Sequence, residues 1–347
     1  MSKIYSLSKP PSNIDLLNDE EVLDRVFNHI DNGTTDLGNE TWQEPTSHYY
    51  KQARFEAELE LLKKLPVPFS PSAALSKNGS YIARKAAGTP LLVVRGLDGV
   101  VRAFINACRH RGMQVASGDG CAKAFVCPYH AWTYNLEGKL KRIPGEEAFP
   151  GFDMTENGLV EISAKEKGGI IYVMQKGKIK DGMLDKCLDF FSSEQQLFQS
   201  GEIEEKANWK ILIETLLEGY HIKSLHQKSF YPYGLDNTNL VETYGPNARV
   251  IFPFRRIEKL RSSDSKKQTI NGSMTSVYHL YPNASVTVLS KHSNLTIMEP
   301  ISPGHSKLVS YTLVNRQTDD FKISIEDAKR DCDFVSKFGL SEDLEAA

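Results

Sequence analysis

The hydrophobic and polar positions change their period along the chain, and each period predicts a different kind of element. Near the start, apolar residues recur at steps of three and four, which predicts helices over 19–31 and 47–64. Between about 78 and 178, the apolar residues form short runs separated by turn residues, a pattern typical of strands. From about 206 the helical period returns, and a second series of short runs follows it.

The short runs predict two antiparallel regions. The strands predicted for the first region are Tyr81–Arg84, Pro90–Arg95, Val100–Asn106 and Gly169–Met174. After a polar, Asn-rich loop at 234–247, the second region has strands predicted at 249–254, 275–281, 285–291, 294–299 and 307–315, before a last helix at about 319–338. Helices that flank consecutive strands indicate an α+β fold with antiparallel sheets.

The composition is that of an ordinary globular protein and argues against several classes. The 347 residues include 42 Lys and Arg against 44 Asp and Glu, a net charge of −2, so we expect neither nucleic acid nor a membrane as a partner. No apolar run approaches the roughly 18 residues that span a bilayer, and residues 1–11 lack the pattern of a signal peptide. We therefore expect a soluble cytoplasmic protein, in which five cysteines do not form a disulfide framework.

Two short segments in the first β region carry metal-ligand residues. They read Cys108-x-His110 and Cys127-x-x-His130, with the sixteen residues 111–126 between them. A Cys₂His₂ set suits either zinc or an iron–sulfur cluster. Zinc fingers usually group Cys with Cys and His with His, whereas each segment here has one of each. That arrangement suits a [2Fe–2S] cluster of the Rieske kind, in which the cysteines hold one iron and the histidines hold the other.

A second group of ligand residues lies in the helical region after residue 206. Glu218, His221 and His226 follow the pattern Glu-x-x-His-x4-His. Residues three apart on a helix share a face, so His226 reaches the same point as His221 only if the helix bends or ends between them. Two histidines with a carboxylate from elsewhere would form the facial triad of non-haem iron oxygenases.

These two groups together resemble the Rieske non-haem iron oxygenases, in particular the alpha subunits of the ring-hydroxylating systems. The resemblance extends to the flanks Cys-Arg-His-Arg-Gly and Tyr-His-x-Trp, and to an Asn-Trp-Lys before the acid-x-Tyr-His. Two positions depart from the family: Ala131 replaces a common Gly, and Thr215 replaces an Asn. The role of that Asn near the iron therefore cannot be transferred to this chain.

The resemblance implies a third ligand for the mononuclear iron near the C-terminus. The family commonly supplies it from a Glu-Asp pair, and Ser341-Glu342-Asp343 matches that pair. We expect Asp343 to be the ligand, with Asp331 and Asp333 as the alternatives. The Tyr-His-Leu-Tyr-Pro-Asn segment resembles the family strand that lines the substrate cavity, so Tyr281 and Asn283 are candidate cavity residues.

The family also implies three parts of the chain. Residues 1–66 would form a helical segment that packs on the catalytic domain, 67–180 the Rieske domain, and 181–347 a helix-grip-like catalytic domain that binds mononuclear Fe(II). The implied activity is that of a terminal oxygenase, which uses O₂ to hydroxylate, dihydroxylate or oxidatively demethylate a small organic substrate. Electrons would come from NAD(P)H through a separate reductase, with or without a ferredoxin, because the chain has no Gly-rich nucleotide motif of its own.

The resemblance finally implies an assembly. In relatives, a ring of three chains brings the cluster of one subunit beside the iron of the next, so we expect a homotrimer. Glu218 would link the iron ligand His221 to the cluster ligand His130 of a neighbouring subunit. Two other classes remain open: a Rieske electron-transfer protein without oxygenase activity, and a binding protein with a structural zinc.

Overall fold

The computed structural model describes residues 14–192, 195–262, 270, 272–316, 322–337 and 342–343. The chain divides into two compact units. The first, called the β unit below, comprises Ala57–Leu184, and the second, called the α+β unit, comprises the residues up to Glu56 and from Asp185 onwards. Among the described residues, no helix is both long and apolar enough to cross a bilayer.

The β unit consists of antiparallel strands. They are Val67–Pro71 (β1), Ser80–Ala86 (β2), Thr89–Arg95 (β3), Val101–Ile105 (β4), Gly118–Cys121 (β5), Phe125–Val126 (β6), Thr133–Tyr134 (β7), Leu140–Arg142 (β8), Glu161–Lys167 (β9) and Ile170–Met174 (β10). The larger sheet has the order β1-β10-β9-β4-β3-β2-β5, and β6-β7-β8 form a smaller sheet. Phe104 and Val94 of the larger sheet share a buried cluster with Tyr134 of the smaller one, which holds the two sheets together.

The α+β unit has one seven-stranded antiparallel sheet. Its strands are Leu197–Glu205 (β11), Leu240–Tyr244 (β12), Asn247–Pro253 (β13), Met274–Leu280 (β14), Ala284–Val288 (β15), His292–Ser302 (β16) and His305–Val314 (β17), in the order β11-β17-β16-β15-β14-β13-β12. The helices of the chain are Asp19–Asn32 (α1), Ser47–Tyr50 (α2), Gln52–Lys64 (α3), Trp209–Leu216 (α4), Ile222–Leu225 (α5) and Ile325–Val335 (α6). The α+β fold expected from the sequence is confirmed.

Helices cover both faces of this sheet. The face that carries Ile251 and Met274 packs against α1 and is called the α1 face. The opposite face, called the α4 face, carries Met298 and Leu308, which pack against α4. The alternation of side chains along the paired strands keeps these two sets on opposite sides. Val314, on the α4 face, packs near α6.

The local sequence explains where α1 begins and ends. The Asn18 side chain accepts the N–H groups of Glu20 and Glu21, and the Glu21 carboxylate accepts the N–H of Asn18, which completes a capping box. Gly33 ends the helix at φ 61°, a left-handed conformation that glycine adopts without strain.

Several predicted elements differ from the observed ones. The helix predicted over 47–64 is interrupted at Lys51, which is extended, so α2 and α3 are separate. The loop predicted at 234–247 contains β12, and β11 was not predicted because this edge strand is mostly polar and exposed. The helix predicted at 319–338 is observed as Ile325–Val335, and part of the predicted span lies outside the described residues.

Candidate metal centres

The first cysteine–histidine segment of the β unit forms a tight loop. The Cys108 N–H donates to the Met113 carbonyl and the Gly112 N–H donates to the Cys108 carbonyl, both at 2.8 Å. Gly112 has φ 72°, a left-handed backbone conformation that would be strained in a residue with a side chain. The loop therefore presents Cys108 and His110 from a fixed backbone.

The second segment repeats the same backbone pattern. The Cys127 N–H donates to the Trp132 carbonyl at 2.8 Å, and the Ala131 N–H donates to the Cys127 carbonyl at 2.9 Å. Ala131 occupies the position of Gly112 and has φ 55°, a left-handed conformation in a non-glycine residue. The geometry explains why glycine is common here in the family, and Ala131 holds the same turn at a cost in strain.

The two loops carry the four predicted donors to one part of the β unit, where Cys108 and Cys127 belong to one buried cluster. The thiols of Cys108 and Cys127 are buried. The Nδ1 atoms of His110 and His130 lie 3.1 Å apart. Two buried thiols with two converging imidazole nitrogens are the donor set of a Rieske cluster, so these residues fit such a group.

Aromatic side chains support the first pair of donors. The Tyr134 hydroxyl lies 3.2 Å from Cys108 Sγ and accepts the Arg109 N–H at 3.0 Å, so its own proton can be donated to the sulfur. Burial and this contact raise the pKa of Tyr134, which keeps it protonated. Trp132 stacks on the His110 ring with centroids 5.0 Å apart. Neither aromatic residue was predicted to have a role in the site.

The protonation of His110 favours ligation. Burial lowers its pKa, and the neighbouring His130 and Arg111 lower it further. A neutral imidazole offers the lone pair that a metal requires, so the ring has the correct form near pH 7.

The second candidate centre, in the α+β unit, lies just after α4. Helix α4 ends at Leu216, and His221 and His226 are the residues at the two ends of the single turn α5. The break therefore precedes His221, whereas the spacing argument placed it between the two histidines. A Cβ on Gly219 would lie 2.6 Å from Asn239 Oδ1 and 3.1 Å from the Phe252 ring, so the chain passes too close there for a side chain.

Asp343 meets both histidines. Its Oδ1 lies 2.8 Å from His226 Nε2 and 3.4 Å from His221 Nε2, and one ligand atom from each residue lies within 4.8 Å of the others. Asp331, the first alternative, instead accepts from His292 Nδ1 at 2.8 Å. Among the described residues, Asp333 does not belong to this group of converging ligand atoms.

A second carboxylate contacts the Nδ1 atom of each histidine. Glu218 accepts a hydrogen bond from His221 Nδ1, and Glu342 lies 2.6 Å from His226 Nδ1. The buried Ser229 hydroxyl donates to the same Glu342 oxygen. Each ring is therefore held at Nδ1 and presents Nε2 to Asp343, as ligand histidines are held in metal sites. These residues fit a 2-His-1-carboxylate iron site.

The charges of this centre are strongly coupled. Burial opposes the charge on His221, but Asp343 and Glu218 prevail and raise its pKa to about 9. Burial likewise opposes the charge on His226, whose pKa Asp343 and Glu342 raise. Burial alone would raise the pKa of Asp343, but hydrogen bonds from the two histidines outweigh burial, so the pKa is lowered. The carboxylate is ionised, and a metal cation would replace the protons on the rings.

The weaker sequence candidates have separate positions. Tyr281 is exposed, whereas Asn283 is buried and donates to the Met298 carbonyl, and its Oδ1 has no partner among the described residues. Thr215, which replaces the family Asn, donates its hydroxyl to the Ile211 carbonyl within α4. We find no contact between Thr215 and either histidine among the described residues.

The fold and these two sets of side chains define a class: a metalloprotein with a Rieske-type β domain and a separate α+β domain that carries a 2-His-1-carboxylate set. The model of the Rieske [2Fe-2S] domain matches residues 66–156, and that of the ring hydroxylating alpha subunit catalytic domain matches 195–347. The chain belongs to the Rieske non-haem iron oxygenase alpha-subunit family, as its motifs predicted. The two domains imply a [2Fe–2S] cluster and a mononuclear non-haem iron as cofactors.

Known relatives support the same family. The chain is 32% identical over 197 residues to the carnitine monooxygenase oxygenase subunit of Escherichia coli, which covers 54% of this chain and 53% of the relative. It is 34% identical over 190 residues to the glycine betaine monooxygenase oxygenase subunit of Pseudomonas aeruginosa, which covers 52% and 44%. The aligned part thus spans about half the length of these relatives.

A solved structure shares the fold. The structure of a quaternary ammonium Rieske monooxygenase has a TM-score of 0.74 and 22% identity, and the match covers 88% of this chain and 84% of the other. The arrangement of a Rieske domain before a catalytic domain is therefore confirmed at the level of fold.

Proposed function

We propose that this chain is the terminal oxygenase component of a Rieske non-haem iron system. The observation that supports the proposal most strongly is that His221, His226 and Asp343 converge in a chain that also carries the Rieske ligand pattern. A protein that only transferred electrons would not need this second set, and a structural zinc site would need only one four-residue set.

The proposal assigns each predicted site residue a role. Cys108 and Cys127 would hold one iron of the [2Fe–2S] cluster, and His110 and His130 would hold the other. The mononuclear iron would be held by His221, His226 and Asp343. When bound, the cluster supplies single electrons and the mononuclear iron supplies the site of dioxygen chemistry.

The side chains prepare that site in three ways. The carboxylates of Glu218 and Glu342 fix the two histidine rings, so that both Nε2 atoms face Asp343. His226 is fully buried, which excludes water from one side of the centre. The His221 side chain is 20% exposed, so it is less completely buried than that of His226. Three protein ligands leave room for a substrate and dioxygen.

The reaction is proposed as hydroxylation, dihydroxylation or oxidative demethylation of a small organic molecule. The similarity to carnitine and glycine betaine monooxygenase subunits makes these two compounds the first substrates to test, and they differ in that carnitine has a hydroxyl donor and glycine betaine has no O–H or N–H. Electrons from NAD(P)H would reach the chain through a separate reductase, with or without a ferredoxin.

The test combines metal analysis with turnover. Protein purified without air should contain three irons and two acid-labile sulfides per chain, and His226→Ala should contain two irons with the cluster colour unchanged. Reduced protein mixed with O₂ should oxidise a member of the substrate panel, whereas His226→Ala should not. Zinc without sulfide would support the structural-zinc alternative, and a wild-type iron count of two would support electron transfer alone.

We further propose a homotrimer in which Glu218 couples the metals of neighbouring chains. Two exposed surfaces support this assembly. In the β unit, His130 is exposed and its neighbour Tyr129 is 54% exposed. In the α+β unit, Glu218 is exposed beside Tyr220, which is 81% exposed. A solution mass of three chains, or a multiple, would agree with the proposal, and a fully active monomer would refute it.

A further inference from the structure

The α4 face of the sheet in the α+β unit is polar between the two helices that cover it. Helix α4 packs on Met298 and Leu308, and α6 packs at the other end, beside Val314 and His292. His292 and Met298 of β16 are six residue steps apart, about 20 Å of strand. Six polar side chains between them on this face, beside the buried Val277, form what we call the polar floor: His279, Ser285, Thr287, Asn294, Thr296 and Ser310.

The other face of the same strands is apolar. Val286, Leu295 and Ile297 lie on the α1 face and are completely buried. Helix-covered sheet faces are usually apolar in this way, because the helix and sheet bury their apolar sides together. Among the described residues, most members of the polar floor are partly exposed although they belong to central strands, so solvent reaches part of this face between α4 and α6.

Two atoms of the polar floor have no hydrogen-bond partner among the residues that the structure describes. Ser285 is 1% exposed, and its Oγ is buried without a partner. The Oδ1 of Asn294 is also buried without one. A buried polar atom without a partner costs stability, so such atoms are rare unless a ligand or water satisfies them. Asn294 Oδ1 can only accept a hydrogen bond, and the Ser285 hydroxyl oxygen can also accept one.

The candidate iron site lies on the same side of the sheet. Gly219, just before the two histidines, touches Phe252, whose side chain is on the α4 face. Further along, the Phe230 ring lies 4.9 Å from the His226 ring and 6.5 Å from the ring of Phe334 in α6. The segment with the metal ligands therefore runs from α4 to α6 on the side of the polar floor.

The polar floor carries hydrogen-bonding groups but no fixed charge. None of the six residues of the polar floor is Asp, Glu, Lys or Arg. Burial lowers the pKa of His279, the one imidazole in the floor, so it is neutral near pH 7. The floor can thus discriminate between molecules by their hydrogen-bond donors, and not by an ion pair.

We infer that the polar floor binds the O–H or N–H donors of the substrate through Ser285 and Asn294, so that the substrate is an alcohol, amine or amide and not a bare hydrocarbon. This inference rests on the proposed function, because it takes the compound bound beside the metal centre to be the one that reacts. It identifies Ser285 and Asn294 as residues that determine specificity.

The test measures binding with paired probes, in which one member has a hydrogen-bond donor and the other has methyl groups in its place. Calorimetry on the iron-loaded protein, without air or reductant, would compare benzamide with N,N-dimethylbenzamide and carnitine with its O-methyl ether. In each pair only the first member has the donor. We expect the donor-bearing member to bind about five- to tenfold more tightly, the effect of one hydrogen bond. Asn294→Leu and Ser285→Ala should remove this preference.

Ser293 provides a matched control in the neighbouring strand. It is also buried, but it lies on the α1 face and its hydroxyl donates to Asn315 Oδ1. Ser293→Ala should leave the probe preference intact and lower the melting temperature by a few degrees, because it leaves Asn315 without its donor. Ser285→Ala should not lower the melting temperature, since the atom it removes has no partner.

The outcomes separate this inference from the proposed oxygenase activity. Equal binding of both members of each pair, or no binding by either donor-bearing probe, would overturn the inference. A large loss of stability in Ser285→Ala would also overturn it, because the hydroxyl would then have a structural partner. Since no turnover is measured, a protein that fails as an oxygenase can still show the predicted preference.

Discussion

Replacing Glu342 tests how the second centre holds its metal. Glu342 is the acceptor for His226 Nδ1 at 2.6 Å and for the Ser229 hydroxyl. In Glu342→Ala both groups lose that acceptor, and the His226 ring is no longer fixed with Nε2 towards Asp343. Residues that orient a ligand histidine typically change metal affinity by about 10- to 100-fold. That range corresponds to about 1.4–2.8 kcal/mol of binding free energy.

The assay is a competition for metal. Protein freed of mononuclear iron would be titrated with Co(II) or Fe(II), without air, in the presence of a coloured chelator of known affinity. Glu342→Ala should bind the metal about 10- to 100-fold more weakly. Glu342→Gln keeps one carbonyl acceptor and should recover part of the loss. Glu326→Ala, which removes an exposed acid from the first turn of α6, serves as the control and should bind normally.

Two results would refute the reasoning. An unchanged affinity in Glu342→Ala would mean that His226 is oriented without this carboxylate. A loss of affinity equal to that of Asp343→Ala would mean that Glu342 is itself a ligand. In either case, the roles assigned to the two neighbouring acids would have to be revised.

Further predictions concern each metal separately. Cys127→Ala should abolish the visible Rieske spectrum, and a normal spectrum would contradict the cluster assignment. Glu218→Ala should bind both metals and reduce its cluster normally, but single-turnover measurements should show much slower oxidation. The affinity of the metal-free protein for Co(II) should rise from pH 6.5 towards about 9, because the metal displaces a proton from His221, whose pKa is raised to about 9. The protonated His221 ring also stabilises the folded, metal-free protein. This contribution to the free energy of unfolding is complete below about pH 6.5 and is lost as the pH rises through about 9.

The sequence predicts the metal ligands well where the ligands are close together in the chain. His110 lies two residues from Cys108, and His130 lies three residues from Cys127, so one backbone loop places each pair. The third iron ligand is different. Asp343 lies 117 residues from His226, and nothing in the local pattern joins them. Resemblance to the family was needed to choose Asp343 over the acids of α6, and the ligand role remains a prediction.

The polar floor shows why a substrate site is hard to predict from a strand pattern. Alternation predicts that one side of a strand is buried and the other faces water. Asn294 and Thr296 follow this rule, so the pattern predicts that they face solvent. The structure instead places α4 and α6 over that side. A sequence pattern cannot distinguish a face that meets bulk water from one that meets a polar ligand.

In the second centre, His226 contacts both the acid that orients its ring and the acid predicted to bind the metal. Asp343 contacts its Nε2 and Glu342 contacts its Nδ1, so two consecutive residues reach the two nitrogens of a single ring. Neither the spacing of His226 from His221 nor the Glu-Asp pair alone predicts this arrangement. Because the ring is fully buried, it cannot exchange one of these partners for water without a cost in free energy. The buried histidine therefore links the position of residues 342–343 to the orientation of the metal-binding nitrogen.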